Sequence, residues 1–237
     1  MRNINFIDNK IYHIYNRGVD KRNIFLEEED YLRAIHNLFE FNDTNPAKNI
    51  YYKTFIIRKP ESYEAQLRKI QAGSGHRKLL VKILAFCLMP NHFHLLLQQA
   101  REEGITQFMH KFGTGYTNFF NKKYKRSGSL FQGRFKAVSL ERNEHLLHLP
   151  FYIHLNPLDI NFIEWRERKL FDFKKATNFI KTYRWSSYMD YVGIKNFPSV
   201  TQRDFLENFY QGMDFEEEMM SWLKSFDLGN LEKMALE

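Results

Sequence analysis

The stretch Ile83-Leu-Ala-Phe-Cys-Leu-Met-Pro-Asn-His-Phe-His-Leu-Leu-Leu-Gln98 decides the fold of this chain. It is an apolar run that is interrupted once, at Met89-Pro90-Asn91. Apolar runs of this length with polar flanks are typical of buried strands. Because proline cannot donate to a strand ladder and Pro-Asn favours a turn, we predict two strands joined by a tight bend.

Two histidines lie on the second of these strands. Side chains alternate along a strand, so His92 and His94 point to one face, roughly 6–7 Å apart, and Phe93 and Leu95 point to the other. Two neutral imidazoles on one surface are ligands for a divalent metal whose other positions stay open. The alternative is two histidines on a solvated sheet face that are satisfied by hydrogen bonds, since short motifs often match by accident.

Composition restricts the class of protein. A length of 237 residues, with 43% hydrophobic and 16% aromatic residues, indicates one large globular domain or a domain with appendages. The net charge of +7 favours a polyanionic partner, with nucleic acid as the default. Cys87 is the only cysteine, which excludes an intramolecular disulfide and a cysteine-rich zinc site. We expect a cytoplasmic protein, because no stretch has the length of a membrane span or the apolar core of a signal peptide.

Basic residues concentrate after a predicted helix over residues 104–124, whose aromatic stripe indicates a buried face. Between Lys122 and Lys136 there are six basic residues and no acid, interleaved with Tyr124, Phe131 and Phe135. Basic groups bind phosphates and aromatic rings can stack on unpaired bases. The residues predicted to contact nucleic acid are Arg17, Lys122, Lys123, Lys125, Arg126, Arg134 and Lys136.

The remaining pattern predicts mixed α and β structure. Strands are expected over residues 10–17, 51–57 and 132–140, and helices over 27–41, 60–72, 143–155, 202–211 and 215–226. Pro150 should kink or restart the helix that contains it, and the Asn156-Pro157 pair should end it. We expect His13 and His36 to be ordinary polar or surface positions.

A second group of residues lies on the predicted helix over 143–155. Tyr152 and Asn156 are four residues apart, hence neighbours on one helix face. A tyrosine hydroxyl can act as a covalent nucleophile on phosphorus when a metal polarises the phosphodiester, and the Asn156 amide oxygen could join two imidazoles in the metal site. The alternative is a structural tyrosine followed by a helix-ending asparagine.

Several motifs together resemble the REP-associated tyrosine transposases, a branch of the insertion-sequence transposases in the HUH single-tyrosine superfamily. They are Tyr12-His-Ile-Tyr-Asn-Arg-Gly18, Leu88-Met-Pro-Asn-His-Phe-His-Leu-Leu96, Gly128-Ser-Leu-Phe-Gln-Gly-Arg-Phe-Lys136, Tyr152-Ile-His-Leu-Asn-Pro157 and Trp185-Ser-Ser-Tyr188. Their number and order make the resemblance specific. It implies a transposase domain over residues 1–191, in which part of 42–82 is an insertion, followed by a helical extension over 192–237.

The resemblance also implies a fold and a chemistry. The fold would be α+β, a central antiparallel sheet with helices packed on it, as in the ferredoxin/RRM-like core of HUH nucleases. His92, His94 and Asn156 would bind Mg²⁺ or Mn²⁺, and Tyr152 would cut single-stranded DNA at hairpins through a 5′-phosphotyrosine. The protein would act as a monomer or homodimer, without a membrane.

Two other functions stay open at this point. One is a DNA-hairpin-binding regulatory protein that has lost cleavage. The other is a metal-dependent nuclease that uses water as its nucleophile, which a carboxylate close to the histidines would favour.

Overall fold

The computed structural model describes residues 4–47, 77–141, 143–167, 169–170 and 172–225. Its centre is a four-stranded sheet, in which every neighbouring pair of strands is antiparallel. The strands are β1 (Ile11–Arg17), β2 (Val81–Met89), β3 (His92–Gln99) and β4 (Lys136–Ser139), in the spatial order β2-β3-β1-β4. The predicted α+β class with a central antiparallel sheet is confirmed.

The two central strands follow the predicted hairpin. Met89 pairs with His92, so that Pro90 and Asn91 alone form the bend. The Pro90 carbonyl accepts hydrogen bonds from the amides of Ile24 and Phe25, at 2.8 and 3.1 Å. Pro90 has no amide hydrogen to donate, but its carbonyl accepts these two hydrogen bonds. They fix the bend to the part of the chain that follows β1.

Seven α-helices in the described part of the chain surround the sheet. They are α1 (Glu28–Glu40), α2 (Gly104–Lys123), α3 (Asn143–Leu155), α4 (Phe173–Thr182), α5 (Tyr188–Tyr191), α6 (Asp204–Phe209) and α7 (Phe215–Ser225). Short 3₁₀ helices include Asn156–Ile160, directly after α3, and Ile163–Glu167. No helix of the described residues is both long enough and apolar enough to cross a membrane.

Each face of the sheet has its own apolar core. Phe93, Leu95 and Leu97 pack with α1 and α2, whereas Leu96 of the same strand packs with α3 and the C-terminal helices. This alternation is the one predicted for β3, and it places His92 and His94 on the α3 side. The aromatic stripe of α2 is buried, as predicted, with Phe108, Phe112 and Tyr116 at 0% exposure.

The outer edge of β2 is covered by the chain around Trp185. The Leu88 amide donates to the Trp185 carbonyl at 2.9 Å, and the Ser187 amide donates to the Phe86 carbonyl at 3.0 Å. Further along β2, Gln202 exchanges hydrogen bonds with the backbone of Ile83. The backbone groups that an edge strand leaves open are thus satisfied within the chain.

Two sequence-based expectations need correction. The strand expected over residues 132–140 covers only Lys136–Ser139, because Gly133 has a φ of 145°, which breaks the extended conformation. His13 and His36 are not surface positions, since their exposures are 0% and 1%. The strand expected over 51–57 and the helix expected over 60–72 lie outside the described residues.

Candidate functional site

The two histidines of β3 lie side by side on the sheet. Their ring centroids are 5.0 Å apart with perpendicular planes. His94 is fully buried, and its Nδ1 is 2.9 Å from Nε2 of His13 on the neighbouring strand. His92 is partly exposed, and its Nδ1 is 2.6 Å from Oδ1 of Asn91.

These contacts orient both imidazoles through the same ring nitrogen. When Nδ1–H of each ring donates to its neighbour, the lone pair resides on Nε2, which is the arrangement that a metal-binding histidine requires. The pair therefore fits a divalent cation. Among the described residues no three His, Cys, Asp or Glu side chains come together as a metal site, so a third protein ligand would have to be of another type.

A cavity of about 590 Å³, here called the histidine cavity, opens in front of the pair. Three basic residues, Arg17, Arg134 and Lys136, lie in its wall together with the carboxylate residue Asp159. Strand pairing explains part of this grouping, because Tyr15 of β1 is opposite His94 on one side and Lys136 on the other. Residues from all four strands and from the segments next to them thus face one volume, in which positive charge predominates.

Tyr152 lies beside the histidines, on the last turn of α3. Its ring centroid is 5.9 Å from that of His94, with the rings edge to face, and its side chain is fully buried. The helix runs through Pro150 as a single element, so the proline does not detach the tyrosine from it. Phe151 stacks on Tyr210 and contacts Phe215, which fixes the last turn of α3 against the C-terminal helices.

The tyrosine hydroxyl has a cationic neighbour. Arg166 donates from Nη1 to the Tyr152 hydroxyl at 3.2 Å and from Nε to Asp159 at 2.8 Å. Asp159 also accepts from the indole N–H of Trp165 at 2.7 Å. Burial alone would lower the pKa of Arg166, but the hydrogen bond to Asp159 and the charges of Tyr152 and Asp159 outweigh it and raise the pKa. Arg166 therefore stays protonated.

Asn156 is close to the tyrosine, as its spacing predicted. It is the first residue of the 3₁₀ helix that follows α3, and its Nδ2 donates to the Tyr152 carbonyl at 2.8 Å. Its Oδ1 is 3.4 Å from Nη2 of Arg166. Asn156, the predicted third ligand, is thus fully buried next to Tyr152, and its amide oxygen faces the guanidinium of Arg166.

His154, in contrast, faces away from this site. Its Nε2 is 2.8 Å from the Ser187 hydroxyl, and its ring packs among Tyr188, Tyr191 and Phe215. Complete burial lowers the pKa of His154 to about 3, so the ring is neutral.

The structure separates the predicted DNA contacts into groups. Arg17, Arg134 and Lys136 line the histidine cavity, whereas Lys122 and Lys125 are exposed at the end of α2. Lys123 is enclosed by carboxylates, with Nζ 2.6 Å from Glu27, 2.9 Å from Glu29 and 2.7 Å from the buried Asp30. Arg126 donates to Asn121 and to the Ser129 carbonyl.

Sequence reasoning missed three residues of this site. His13 had a usable signal, because it alternates with Tyr15 on a strand that would pair with β3. Asp159 and Arg166 carried none, since their contacts depend on how the chain turns after α3.

One family model agrees with the sequence motifs. The family described as "Transposase IS200 like" matches residues 49–156. This match confirms the predicted resemblance to the insertion-sequence transposases. A solved structure of a REP-associated tyrosine transposase bound to a REP hairpin is similar, with 11% sequence identity and a TM-score of 0.47 over 84% of this chain and 88% of that one. No curated protein matches.

Proposed function

We propose that this relative of the IS200-like transposases is a metal-dependent transesterase that cuts and rejoins single-stranded DNA at hairpins, with Tyr152 as the nucleophile. The observation that carries the proposal is the meeting of three independent parts. Tyr152 on α3 packs edge to face against His94, one member of the histidine pair of β3, and the pair itself borders a cavity with basic walls. Hairpins as the substrate are what the resemblance of the sequence to the REP-associated tyrosine transposases implies.

The reaction is a substitution at phosphorus. The Tyr152 oxygen forms a bond to the phosphorus, and its proton passes to solvent. The bond between phosphorus and the 3′ oxygen breaks, and that oxygen takes the electron pair and a proton to become a free 3′-hydroxyl. The products are a 5′-phosphotyrosine and a 3′-hydroxyl end, and rejoining is the reverse attack by a 3′-hydroxyl.

Residues of this chain have separable roles in that step. His92 and His94, joined by Asn156 once its amide leaves Arg166, would hold Mg²⁺ or Mn²⁺, which would supply Lewis-acid polarisation of the phosphodiester. Arg166 stabilises negative charge as it develops on the tyrosine oxygen, since it remains protonated and donates to that oxygen. Arg17, Arg134 and Lys136 neutralise the DNA backbone.

The nucleophile is covered in this conformation, because Tyr152 is fully buried beneath Arg166. DNA must therefore displace part of this cover before the phosphorus can reach the tyrosine oxygen. The Arg166 guanidinium can move in this way, because a phosphate can replace Asp159 as its anionic partner.

One observation favours a second function, a nuclease that uses water. Asp159 brings a carboxylate to the wall of the histidine cavity, where such an enzyme would need a base. Asp159 is, however, hydrogen-bonded to Arg166 and Trp165, which suits a structural anion better than a base.

The test compares the wild type with Tyr152→Phe on labelled DNA hairpins from the repeats next to its gene, with Mg²⁺, in denaturing gels. The phenylalanine keeps the ring packing against His94 and removes only the oxygen. We expect a protein–DNA adduct that survives SDS in the wild type only. Adduct-free cleavage in both proteins would establish the hydrolase, and binding without cleavage in both would establish a DNA-binding relic.

A further inference from the structure

A second concave surface adjoins the histidine cavity on the other face of the sheet. It has a volume of about 620 Å³ and lies between α2 and the chain from Ser129 to Phe135; we call it the α2 groove. Asn16 and Arg134 line both the groove and the histidine cavity. The two are divided at Asn16, whose Nδ2 donates to the Gly133 carbonyl at 3.0 Å. A ligand in one space therefore reaches the other by passing Arg134.

The lining of the groove differs from that of the histidine cavity. Its floor is apolar and includes Phe93 and Phe131, which are 1% and 8% exposed. Its α2 wall carries uncharged polar side chains and a histidine, including Thr106, His110 and Thr117. These positions are separated by four and seven residues, so they share one helix face. An apolar floor with a few polar groups at the rim suits a flat heteroaromatic ring rather than a phosphate.

The charges around the groove select the same type of ligand. None of the twenty residues of α2 is acidic, and the only charged side chain in the lining that is permanently ionised is Arg134, at the junction with the histidine cavity. A polyanion can therefore follow α2 without meeting a carboxylate there. Its backbone is attracted to Arg134, while the groove itself offers contacts to a base.

We propose that the α2 groove binds an unpaired nucleobase of the same DNA strand whose phosphate occupies the histidine cavity. This inference rests on the proposed function, since it places single-stranded DNA at the histidines. The strand would pass around the sheet at residues 132–135, with Arg134 between the two sites. The groove would then anchor the strand beside the reacting phosphate and require at least one unpaired base there.

Gly113 allows the groove to be blocked without disturbing the fold. It lines the groove, and a Cβ placed on it would meet no heavy atom within 4 Å. A larger side chain would therefore enter the groove, and replacing a glycine inside a helix also favours the helix. Gly115, two residues on, offers no such option, because a Cβ there would collide with the ring of Phe41.

The test measures binding by fluorescence anisotropy in EDTA, where no cleavage interferes. The probes are fluorescein-labelled oligothymidylate and an abasic deoxyribose-phosphate strand of equal length. We expect the wild type to bind the thymidylate about tenfold more tightly than the abasic strand, the effect of stacking roughly one base. Gly113→Leu should lose this preference and keep its affinity for the abasic strand.

Two further variants complete the design. Gln107→Leu adds the same side chain to an exposed position of α2 outside the groove lining, and it should keep the tenfold preference. Thr117→Trp blocks the groove from a second position, in case Gly113→Leu does not fold, and should lose the preference. The proposal is overturned if a folded, blocked variant keeps the preference for the thymidylate. It is also overturned if the wild type shows no preference, or if a blocked variant loses affinity equally for both strands. Because the readout needs neither metal nor Tyr152, it fails or succeeds independently of the adduct assay.

Discussion

Replacing His13 with alanine should weaken binding of a divalent metal at His92 and His94 by about ten- to a hundredfold. His13 would be a positioning residue, since it acts through His94 and does not itself bind the metal. Its Nε2 is 2.9 Å from Nδ1 of His94, and both side chains are fully buried on adjacent strands. Without His13 the proton of His94 can move to Nε2, and metal binding must first reverse that change.

The magnitude follows from the lost hydrogen bond. Leaving a buried donor without its acceptor costs roughly 1–3 kcal/mol, which corresponds to a factor of about 5 to 150 in affinity. Substitutions of residues that orient metal-binding histidines typically lower affinity by about 10–100-fold, in the same range.

The assay is titration of Mn²⁺ into the protein by isothermal calorimetry. His13→Gln should recover part of the affinity, because its amide oxygen can accept the hydrogen bond, whereas His110→Ala removes an exposed histidine of α2 and should have no effect. Circular dichroism would show that each variant is folded. A folded His13→Ala protein with the affinity of the wild type would refute the reasoning.

Three further outcomes are expected. Lys136→Ala should reduce the slope of log affinity for single-stranded DNA against log salt concentration by about 0.7, the value expected for the loss of one phosphate contact. An unchanged slope in anisotropy titrations would place Lys136 outside the interface. Lys123→Met should lower the free energy of unfolding, measured in urea, by about 3 kcal/mol, because the buried carboxylate of Asp30 would lose its cationic partner. Lys122→Met, at an exposed position, should leave this free energy unchanged. Equal effects of the two substitutions would contradict the distinction. Burial lowers the pKa of His154 to about 3, so between about pH 6.5 and 3 the unfolded state binds more protons than the folded state. The free energy of unfolding should therefore fall by up to about 1.4 kcal/mol per pH unit as the pH decreases through that range. In urea titrations at several pH values, His154→Gln should make the free energy of unfolding less dependent on pH. An unaltered pH dependence would contradict the assignment of this effect to His154.

The sequence predicted the features that depend on local pattern. The hairpin at Pro90-Asn91 and the common face of His92 and His94 follow from a turn dipeptide and from strand alternation. The approach of Asn156 to Tyr152 follows from helical spacing, although Asn156 belongs to the 3₁₀ helix that continues α3. In each case the residues are close in sequence, so few conformations were possible.

The features that it missed depend on distant pairing. His13 meets His94 only because β1 inserts between β3 and β4 in one register, with Tyr15 opposite His94. The basic neighbours of Lys123 predict a DNA contact, but the acidic residues that surround it, at and just before the start of α1, lie more than ninety positions away in the sequence. Nothing in the local pattern of Arg166 indicates the tyrosine that it contacts.

The covered edge of β2 has a consequence for synthesis on the ribosome. All four strands have been made once residue 139 has emerged, whereas the residues that close the outer side of β2 extend to Gln202. At translation rates of about 5–20 residues per second, the nascent sheet spends roughly three to thirteen seconds with an open, apolar edge. Such an edge is a template for strands of other chains on the same polysome, and it stays available until the Trp185–Ser187 segment and Gln202 have been made and can cover it.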